Sequence, residues 1–514
     1  MTATSVDVET QGDRRLQRSW YWYDWANSAF VTTVGTVLFG PYLTTVAKEA
    51  ACPGLDTEAK CSTNVHVLDL GSAGRTISII AMALAVALAL AAVVLIRRGG
   101  DALKPLPWIG AGALVSLVAF IVVVPMDPGS VAPYTTTVAT LLSAILLIFV
   151  GAVADRAPRP ARLLGLFAWV GSLAAAGLYF VRGGNWQLGS ALMIAATIGL
   201  GASLVVYDAI LIKISSPDER DRVSSRGWAL GYLGGGLLLA VNLVVVSKPS
   251  LIGVTTGQAV RISMLSAALW WGLFTLIPVV GLWRLRNQNA RLADAPSEGV
   301  LGGSFAQLAH TFNDMRKFPQ TMLFLLAYLF FNDGIQTVIS SSSLYGAEQL
   351  KLAQSQLIAL ILLVQFVAFG GALLFGWLAT RHGAWRTILR SLVAWCVIIV
   401  AAFFVPEKAF LFFAALGVLI GIVLGGSQAL SRSLFSQLVP RSREAEFFAF
   451  YQAMERGTSW FGTFLFGLVH QLTHSYRPAI VALIVFFVAG GLILRRVDVR
   501  QGIIDAGNVV PAVV

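Results

Sequence analysis

The chain has 514 residues, of which 57% are hydrophobic and only 12% are charged, and its mean hydropathy is +0.75. Soluble domains carry about 25% charged residues, so this composition excludes an ordinary soluble protein. The net charge of +11 would suit a nucleic-acid-binding protein if the basic residues formed one patch, but they are scattered over short turns.

Long apolar runs recur along the whole chain and are separated by short polar stretches. A membrane-crossing helix needs roughly 20 apolar residues. The runs are rich in Leu, Val, Ala and Gly and lack the alternation of barrel strands, so we predict an all-α integral membrane protein. About fourteen spans are expected on this length criterion, near residues 25–47, 75–96, 106–125, 133–154, 162–181, 186–212, 226–246, 262–283, 319–343, 354–379, 386–405, 409–430, 446–469 and 477–494.

The distribution of Lys and Arg predicts the orientation of these spans. If the N-terminus is cytoplasmic, most of the 37 basic residues fall in cytoplasmic segments, as the positive-inside rule requires. We therefore expect a multi-pass protein of the cell membrane with both termini in the cytoplasm. The basic turns are expected to contact anionic lipids, and no nucleic-acid partner is expected.

Two of the three cysteines, Cys52 and Cys61, share one predicted external loop. A disulfide there would close a short loop in an oxidising compartment and would contribute about 2–3 kcal/mol. The alternative is two free thiols, and the disulfide is the favoured reading. The sequence contains no zinc pattern, so neither a metal nor another cofactor is expected.

The two halves of the chain resemble each other. GAVADRAPRPARLLG (151–165) and GWLATRHGAWRTILR (376–390) each follow a predicted span, and LGAS and LGGS follow them at matching distances. This predicts two bundles, 23–284 and 318–497, with a site between them, as in transporters built from repeats. The remaining segments are a tail at 1–22, a connector at 285–317 with a short amphipathic helix, and a tail at 498–514.

The repeated motif carries a resemblance to a known superfamily. G-x-x-x-D-R with further basic residues resembles the signature loop of the major facilitator superfamily. Its positions here are Gly151, Asp155, Arg156 and Arg159, with Arg381 and Arg386 in the second copy, where Thr380 replaces the acid. The resemblance implies two pseudo-symmetric six-helix bundles that work by alternating access. We expect Asp155 to latch the cytoplasmic side through a neighbouring helix terminus and a nearby Arg.

Four stretches resemble one branch of that superfamily, the autophagy-related vacuole-effluxer-like family. They are YDWANSAF (23–30), PDERDRVSSRGWALGYLGG (217–235), AYLFFNDGIQTVI (327–339) and GGSQALSRSLFSQLVPRSREAEFFAFY (425–451). The resemblance implies a secondary transporter. The eukaryotic members are associated with release of amino acids from the vacuole, and bacterial members have poorly defined substrates.

The superfamily core has twelve spans, and the duplicated landmarks place the surplus in the first half. Residues 70–125 are therefore expected to form an inserted transmembrane hairpin with a basic cytoplasmic turn. The alternative is a pair of segments that lie in the membrane interface. The near absence of polar residues favours an accessory that faces lipid.

Polar residues inside predicted spans are the candidate substrate and proton pathway, because ionisable groups in a membrane are costly. Asp333 stands deepest, with Asn332 and Gln336 beside it, and is expected to face water or substrate. The alternative for these three is hydrogen bonding between helices. The other candidates are Asp24, Asn27, Tyr207, Asp208, Gln428 and Glu455.

Structural alternatives remain open for some of these residues and for one neighbour. Asp24 could cap the first transmembrane helix, and Asp208 could pair with Lys213. Arg432, four residues after Gln428, could serve merely to anchor the topology at a cytoplasmic end.

The predicted function is secondary active transport of small molecules. The sequence has no phosphate-binding loop or catalytic motif, so we expect no enzyme. The predicted transporter is a proton-coupled monomer that exports amino acids or related metabolites, with Asp333 as the leading proton carrier, because a carboxyl withdrawn from water binds protons more readily. The alternatives are a sensor or scaffold on a transporter fold, and an exporter of drug-like or lipophilic compounds.

Overall fold

The computed structural model describes residues 13–54, 61–98, 109–286, 315–457 and 461–514, apart from 62, 69, 110–111, 113–114, 117–118, 121, 353, 442, 463–464, 467–468, 470–471 and 474. The second predicted segment of the hairpin, 106–125, is described only in part, and most of the connector, 285–317, lies outside the described residues. Their predicted structures therefore remain predictions.

Eleven helical segments among the described residues are long and apolar enough to cross a membrane. The first half of the chain contains α1 (Arg14–Ala51), α3 (Pro128–Arg156), α4 (Pro160–Phe180), α5 (Trp186–Ile214), α6 (Pro217–Ser247) and α7 (Thr256–Gly281). The second half contains α8 (Pro319–Ser342), α9 (Gln356–His382), α10 (Ala384–Phe403), α11 (Phe410–Gln437) and α13 (Tyr476–Arg495). Three further helices are α2 (Gly71–Arg98), α12 (Glu444–Gly457) and α14 (Val499–Asp505).

Local sequence signals fix where several of these helices begin. The Asp13 side chain accepts a hydrogen bond from Arg15 N and caps α1, and Thr255 caps α7 in a reciprocal capping box with Gln258. Pro160 stands at the first position of α4, where its missing N–H costs nothing. The alternative that Asp24 caps the first helix is wrong, because α1 begins ten residues earlier at Arg14.

The helix packing follows the predicted duplication. Within the first half α1 packs along α6 and α4 along α5, and within the second half α9 packs along α11 and α8 along α13. Between the halves, α3 packs along α12 and α6 along α9. Because α3 and α9 both carry the signature motif, these two contacts are equivalent in the two repeats. The predicted all-α fold of two pseudo-symmetric bundles is confirmed, and the total of fourteen spans stays a prediction.

The two faces of the bundle are distinguishable by what lies on them. We call the face where α1 begins the termini side, because residues after α14 also pack there. The Asn508 amide donates to Gln437 O and Val439 O, and Ala512 N donates to Asp218 Oδ1 at 2.7 Å. The last residues of the chain thus contact both halves.

The opposite face, which we call the far side, contains the disulfide and the ends of the insertion. Cys52 and Cys61 are bonded, as favoured from the sequence. Val65 and Met126 exchange two backbone hydrogen bonds, at 2.8 and 2.9 Å, and so bring the two ends of the inserted segment together.

Candidate transport site

A cavity of about 500 Å³ lies between the two halves. Its lining begins with residues near the far-side ends of the helices and continues past their midpoints. We call it the central cavity. Its polar lining residues include Asp24, Asn27, Thr136, Asp208, Gln336, Gln365, Gln428, Arg432, Gln452 and Glu455. Six of the nine residues predicted from the sequence as the pathway are among them.

The floor of the central cavity, toward the termini side, is an ion-pair cluster around Arg432. Its guanidinium donates through Nη2 to Asp24 Oδ2 at 3.1 Å and through Nη1 to Asp208 Oδ1 at 3.4 Å. The arginine is only 3% exposed and Asp208 only 1%. The interpretation of Arg432 as a topology anchor is wrong, since a buried charge of this kind must be paired. The partners of Asp208 are Arg432 and Gln452 rather than Lys213.

Aromatic rings enclose the Arg432 guanidinium. Its carbon lies 4.9 Å from the ring centre of Trp20 and 5.4 Å from those of Tyr207 and Trp228, within the range of cation–π attraction. Trp20 and Tyr207 stack at 4.2 Å, and the Tyr207 hydroxyl donates to Asp24 Oδ2 at 2.8 Å. Tyr207 thus supports the cluster from behind and is not itself among the residues lining the central cavity.

Two further polar pairs lie around the cavity. Tyr232 on α6 donates to Gln428 Oε1 on α11 at 2.6 Å, and Tyr328 donates to Glu455 Oε2 at 3.2 Å. The Asn27 amide donates to Tyr23 O within its own helix, so its oxygen can still accept a hydrogen bond from a bound molecule.

The cavity is closed on the termini side by hydrogen bonds between the two halves. Ser224 Oγ donates to Ala429 O at 2.7 Å, and Arg220 Nη1 donates to Ser436 O at 3.2 Å. The Ser433 hydroxyl donates to Asp221. Every one of these contacts joins α6 to α11, so opening toward the termini side has to break them.

The signature motif contributes a second closure. The two carboxylate oxygens of Asp155, at the end of α3, accept hydrogen bonds from Ala445 N and Glu446 N at 2.9 Å each, at the first turn of α12. This is the contact with a helix terminus that we expected, and it favours a negative charge. A Cβ added at Gly151 would lie 2.6 Å from Ala449 Cβ, so only glycine permits this approach of α3 to α12.

The second copy of the motif makes the equivalent approach without an acid. A Cβ added at Gly376 would lie 2.7 Å from the Ser225 side chain on α6. Thr380 donates to Trp377 O within its own helix. The flanking arginines are accounted for locally: Arg381 lies 4.1 Å from the Trp377 ring centre, and Arg159 lies 5.2 Å from that of Trp283. Arg156 and Arg386 are exposed on the same side.

Asp333 has surroundings different from those expected. It is 1% exposed, and it is not among the described residues that line the central cavity, nor is Asn332. Its Oδ2 accepts from Gly462 N at 2.9 Å, and no hydrogen-bond partner for its Oδ1 is found among the residues that the structure describes. Only Gln336 of the original three lines the cavity. Because Asp333 packs against the neighbouring helix, its role as a proton carrier stays a prediction.

Sequence reasoning missed two members of the site, Arg432 as a central residue and Gln452. The Gln452 amide donates to Asp208 Oδ2 at 2.9 Å. A signal for Gln452 was present in the sequence, because it interrupts the apolar and aromatic helix stretch FAFYQAM, whereas Arg432 lies in the largely polar stretch SQALSRSLF.

Solved structures with the same architecture are transporters. The chain resembles the proton:xylose symporter XylE bound to 6-bromo-6-deoxy-D-glucose, with a TM-score of 0.59 at 11% identity over 94% of this chain and 95% of that one. It also resembles a bacterial homologue of the iron transporter ferroportin in an outward-facing state, with a TM-score of 0.56 at 11% identity over 94% and 98%. The fold of this chain, two helical bundles with a cavity between them, is therefore the fold of these transporters.

Relatives in sequence narrow this class. The family model described as "Vacuole effluxer Atg22 like" matches residues 12–507. An uncharacterized MFS-type transporter of Bacillus subtilis (strain 168), YxiO, is 31% identical over 71% of this chain and 83% of its own length. Autophagy-related protein 22 of Saccharomyces cerevisiae (strain ATCC 204508 / S288c) is 26% identical over 73% and 79%. The chain belongs to the Atg22-like vacuole effluxer family.

Proposed function

We propose that this transporter moves small zwitterions of the amino-acid class. The observation that carries the proposal is the charge pattern of the central cavity, where one arginine and three carboxylates line the same space. The planar Arg432 guanidinium matches a carboxylate, and a substrate carboxylate would bind it by replacing Asp24 or Asp208 as its partner. Glu455, which lies on another helix, α12, offers an acceptor for an ammonium group. An α-amino acid carries both of these groups, whereas a sugar carries neither.

The same cluster suggests how transport is coupled to protons. Asp24 and Asp208 belong to the first half and Arg432 to the second, so their ion pairs hold the termini side closed. A proton on either carboxylate would remove one of the attractions across this closure. Opening would then follow proton binding, which is the behaviour required of alternating access driven by an ion gradient.

Competition between the proton and the substrate for a carboxylate favours transport of the two in opposite directions across the membrane. A proton that enters from the far side and binds Glu455 would remove the acceptor for the substrate ammonium group, so binding of one displaces the other. We propose proton-driven export on this basis. The termini side would face the cytoplasm of a cell, because it bears the basic turns and the disulfide lies opposite, where an oxidising compartment is expected.

One chain is proposed to be sufficient, because both halves that build the central cavity come from the same polypeptide. The bound partners would be the substrate, protons and membrane lipids.

The test is a counterflow screen with purified protein in proteoliposomes. Vesicles loaded with unlabelled amino acids should accumulate the matching labelled compound, and Glu455→Gln should lower uptake at least tenfold. Gln365→Glu, on the opposite helix α9, is a control for a charge change in the cavity lining. Accumulation of lipophilic cations but of no amino acid would favour the drug-exporter alternative. Absence of flux for all classes would favour a sensor or scaffold.

A further inference from the structure

A second cavity, of about 200 Å³, lies on the termini side and is separate from the central cavity. The first turns of α1 and α6 form it. We call it the arginine pocket, and its lining residues are Arg14, Gln17, Arg18, Tyr21, Arg222 and Arg226. Four of the six carry a permanent positive charge, which no part of the transport cycle described above uses.

The arginine pocket has few negative charges of its own. Glu219 accepts from Arg222 Nη2 at 2.8 Å and from the Gln17 amide at 3.2 Å, so this acid is already engaged. Within the described part of the chain, no carboxylate lies in ion-pair distance of Arg14, Arg18 or Arg226. Like charges gathered around one cavity repel each other, and an anion bound between them would offset that repulsion.

The geometry matches one class of anion. Guanidinium groups bind phosphate oxygens in pairs of parallel hydrogen bonds, and several arginines around one cavity are a common phosphate site. Tyr21, whose hydroxyl lies beside the Arg226 guanidinium, adds a neutral hydrogen-bonding group. Two helices, α1 and α6, also begin near this pocket, and the N-terminal end of a helix favours a negative charge.

We propose that the arginine pocket binds a phosphate-bearing anion. The phosphate group can belong to an anionic lipid headgroup, since the pocket lies at the end of two membrane-crossing helices, or to a soluble phosphate. Both sources present the same chemistry to the four arginines. This proposal does not depend on the transported substrate.

The position of the pocket gives the bound anion a structural consequence. Arg222 and Arg226 are one and two turns into α6, whose neighbouring residues Arg220 and Asp221 make the contacts with α11 that close the termini side. An anion that joins α1 to the start of α6 would therefore hold in place the helix end that makes these contacts.

The test compares wild-type protein with Arg18→Ala/Arg226→Ala, each purified in neutral detergent. Arg15→Ala/Arg500→Ala is the matched control, because both residues are exposed on the termini side, neither lines the pocket, and the charge change is equal. Native mass spectrometry counts the molecules of phosphatidylglycerol and of phosphatidylcholine that each protein retains. A titration with pyrophosphate at constant ionic strength measures the shift of the unfolding temperature.

Wild-type and control proteins should retain one more phosphatidylglycerol than the pocket variant, with at least tenfold stronger binding and no difference for phosphatidylcholine. Saturable stabilisation by pyrophosphate, lost in the pocket variant, would support a soluble phosphate as the occupant instead. Equal behaviour of all three proteins toward both probes would overturn the proposal. If the double variant does not fold, Arg14→Gln, at the exposed start of α1, provides the same comparison.

Discussion

Arg432 and Asp24 form a 3.1 Å ion pair that joins the second half of the bundle to the first, across 408 positions of the sequence. The pair lies at the floor of the central cavity and at the top of the contacts that close the termini side. One interaction therefore belongs both to the candidate binding site and to the closure, which is why its removal should affect stability and transport together.

A double-mutant cycle on this pair should reveal strong coupling. Arg432→Gln leaves two buried carboxylates without a cation, and removal of one partner of a buried pair costs about 3–5 kcal/mol. Adding Asp24→Asn should restore part of that loss, with a coupling energy of about 1–3 kcal/mol. Chemical denaturation in detergent measures all four proteins. Purely additive effects would mean that the pair does not contribute to the closed conformation.

The contact of Asp155 with the first turn of α12 predicts a kinetic defect. Asn has one carbonyl oxygen and cannot accept from both Ala445 N and Glu446 N as the carboxylate does. Asp155→Asn should therefore slow counterflow about tenfold while the unfolding temperature changes little. Asp127→Asn, which alters an exposed far-side cap, is the control. A wild-type rate in the Asp155 variant would remove this latch from the transport cycle.

The close approach at Gly151 predicts a shift between conformations. A single methyl group in Gly151→Ala would overlap Ala449, and overpacking of this kind costs about 1–3 kcal/mol in the closed arrangement only. Gly370→Ala, on α9, is the control, because no atom lies within 4 Å of its Cβ position. Gly370→Ala should raise the stability of α9 by up to about 1 kcal/mol.

Spin labels on the termini-side ends of α3 and α12 can report the result. Their distance distribution should gain a longer component in Gly151→Ala and stay unchanged in Gly370→Ala. An unchanged distribution in both variants would show that α3 and α12 separate too little in the cycle for this contact to matter.

Much of this architecture is accessible from the sequence because it depends on local signals. Apolar runs of about 20 residues indicate the spans, the shared loop of Cys52 and Cys61 favours the bridge over two free thiols, and the resemblance of the signature motif predicts the contact of Asp155 with a helix terminus. The ion-pair cluster is not accessible in this way. Arg432 is separated from Asp24 and Asp208 by 408 and 224 positions, and only the docking of two halves brings them together.

The placement of Asp333 shows the same limit of sequence reasoning, here for a residue that was expected in the cavity and is covered by a helix. Residue counts give the depth of a side chain within a span. The direction in which a helix face points depends instead on the neighbouring helices. The helix that contributes Gly462 covers Asp333, while Gln336, three residues further along, reaches the cavity. A single sequence does not show which of these two faces is covered.

Because the two ends of the inserted segment lie side by side, we expect the core to fold without this segment. Val65 and Met126 form an antiparallel pair, whose Cα atoms lie about 5.5 Å apart in a hydrogen-bonded pair. Residues 66–125 can therefore be replaced by an Asn-Gly turn. The shortened protein should remain monodisperse, with an unfolding temperature close to that of the wild type. A folded but inactive product would mean that the hairpin takes part in transport.

The last prediction concerns the proton carrier. Asp208 lines the central cavity and pairs with Arg432 across the two halves, whereas Asp333 is covered by a neighbouring helix. Changing either residue to Asn keeps its shape and removes its ability to bind and release a proton. Both variants lose a buried carboxylate, so a difference between them identifies which of the two residues carries the proton.

Asp208→Asn should strongly lower accumulation driven by a pH gradient and leave exchange at equal pH measurable. A charge pair at this distance is worth about 5 kcal/mol in a medium of effective dielectric near 20, before the cost of desolvation. Its loss would leave protons able to act on the closure only through Asp24. Asp333→Asn should keep gradient-driven accumulation, since its carboxylate holds Gly462 N rather than the second half's cation. The reverse result would establish Asp333 as the carrier, as the sequence alone predicted. Flux that ignores both the gradient and a protonophore in the wild type would exclude proton coupling, because no titratable group in the cavity could then be driving the cycle.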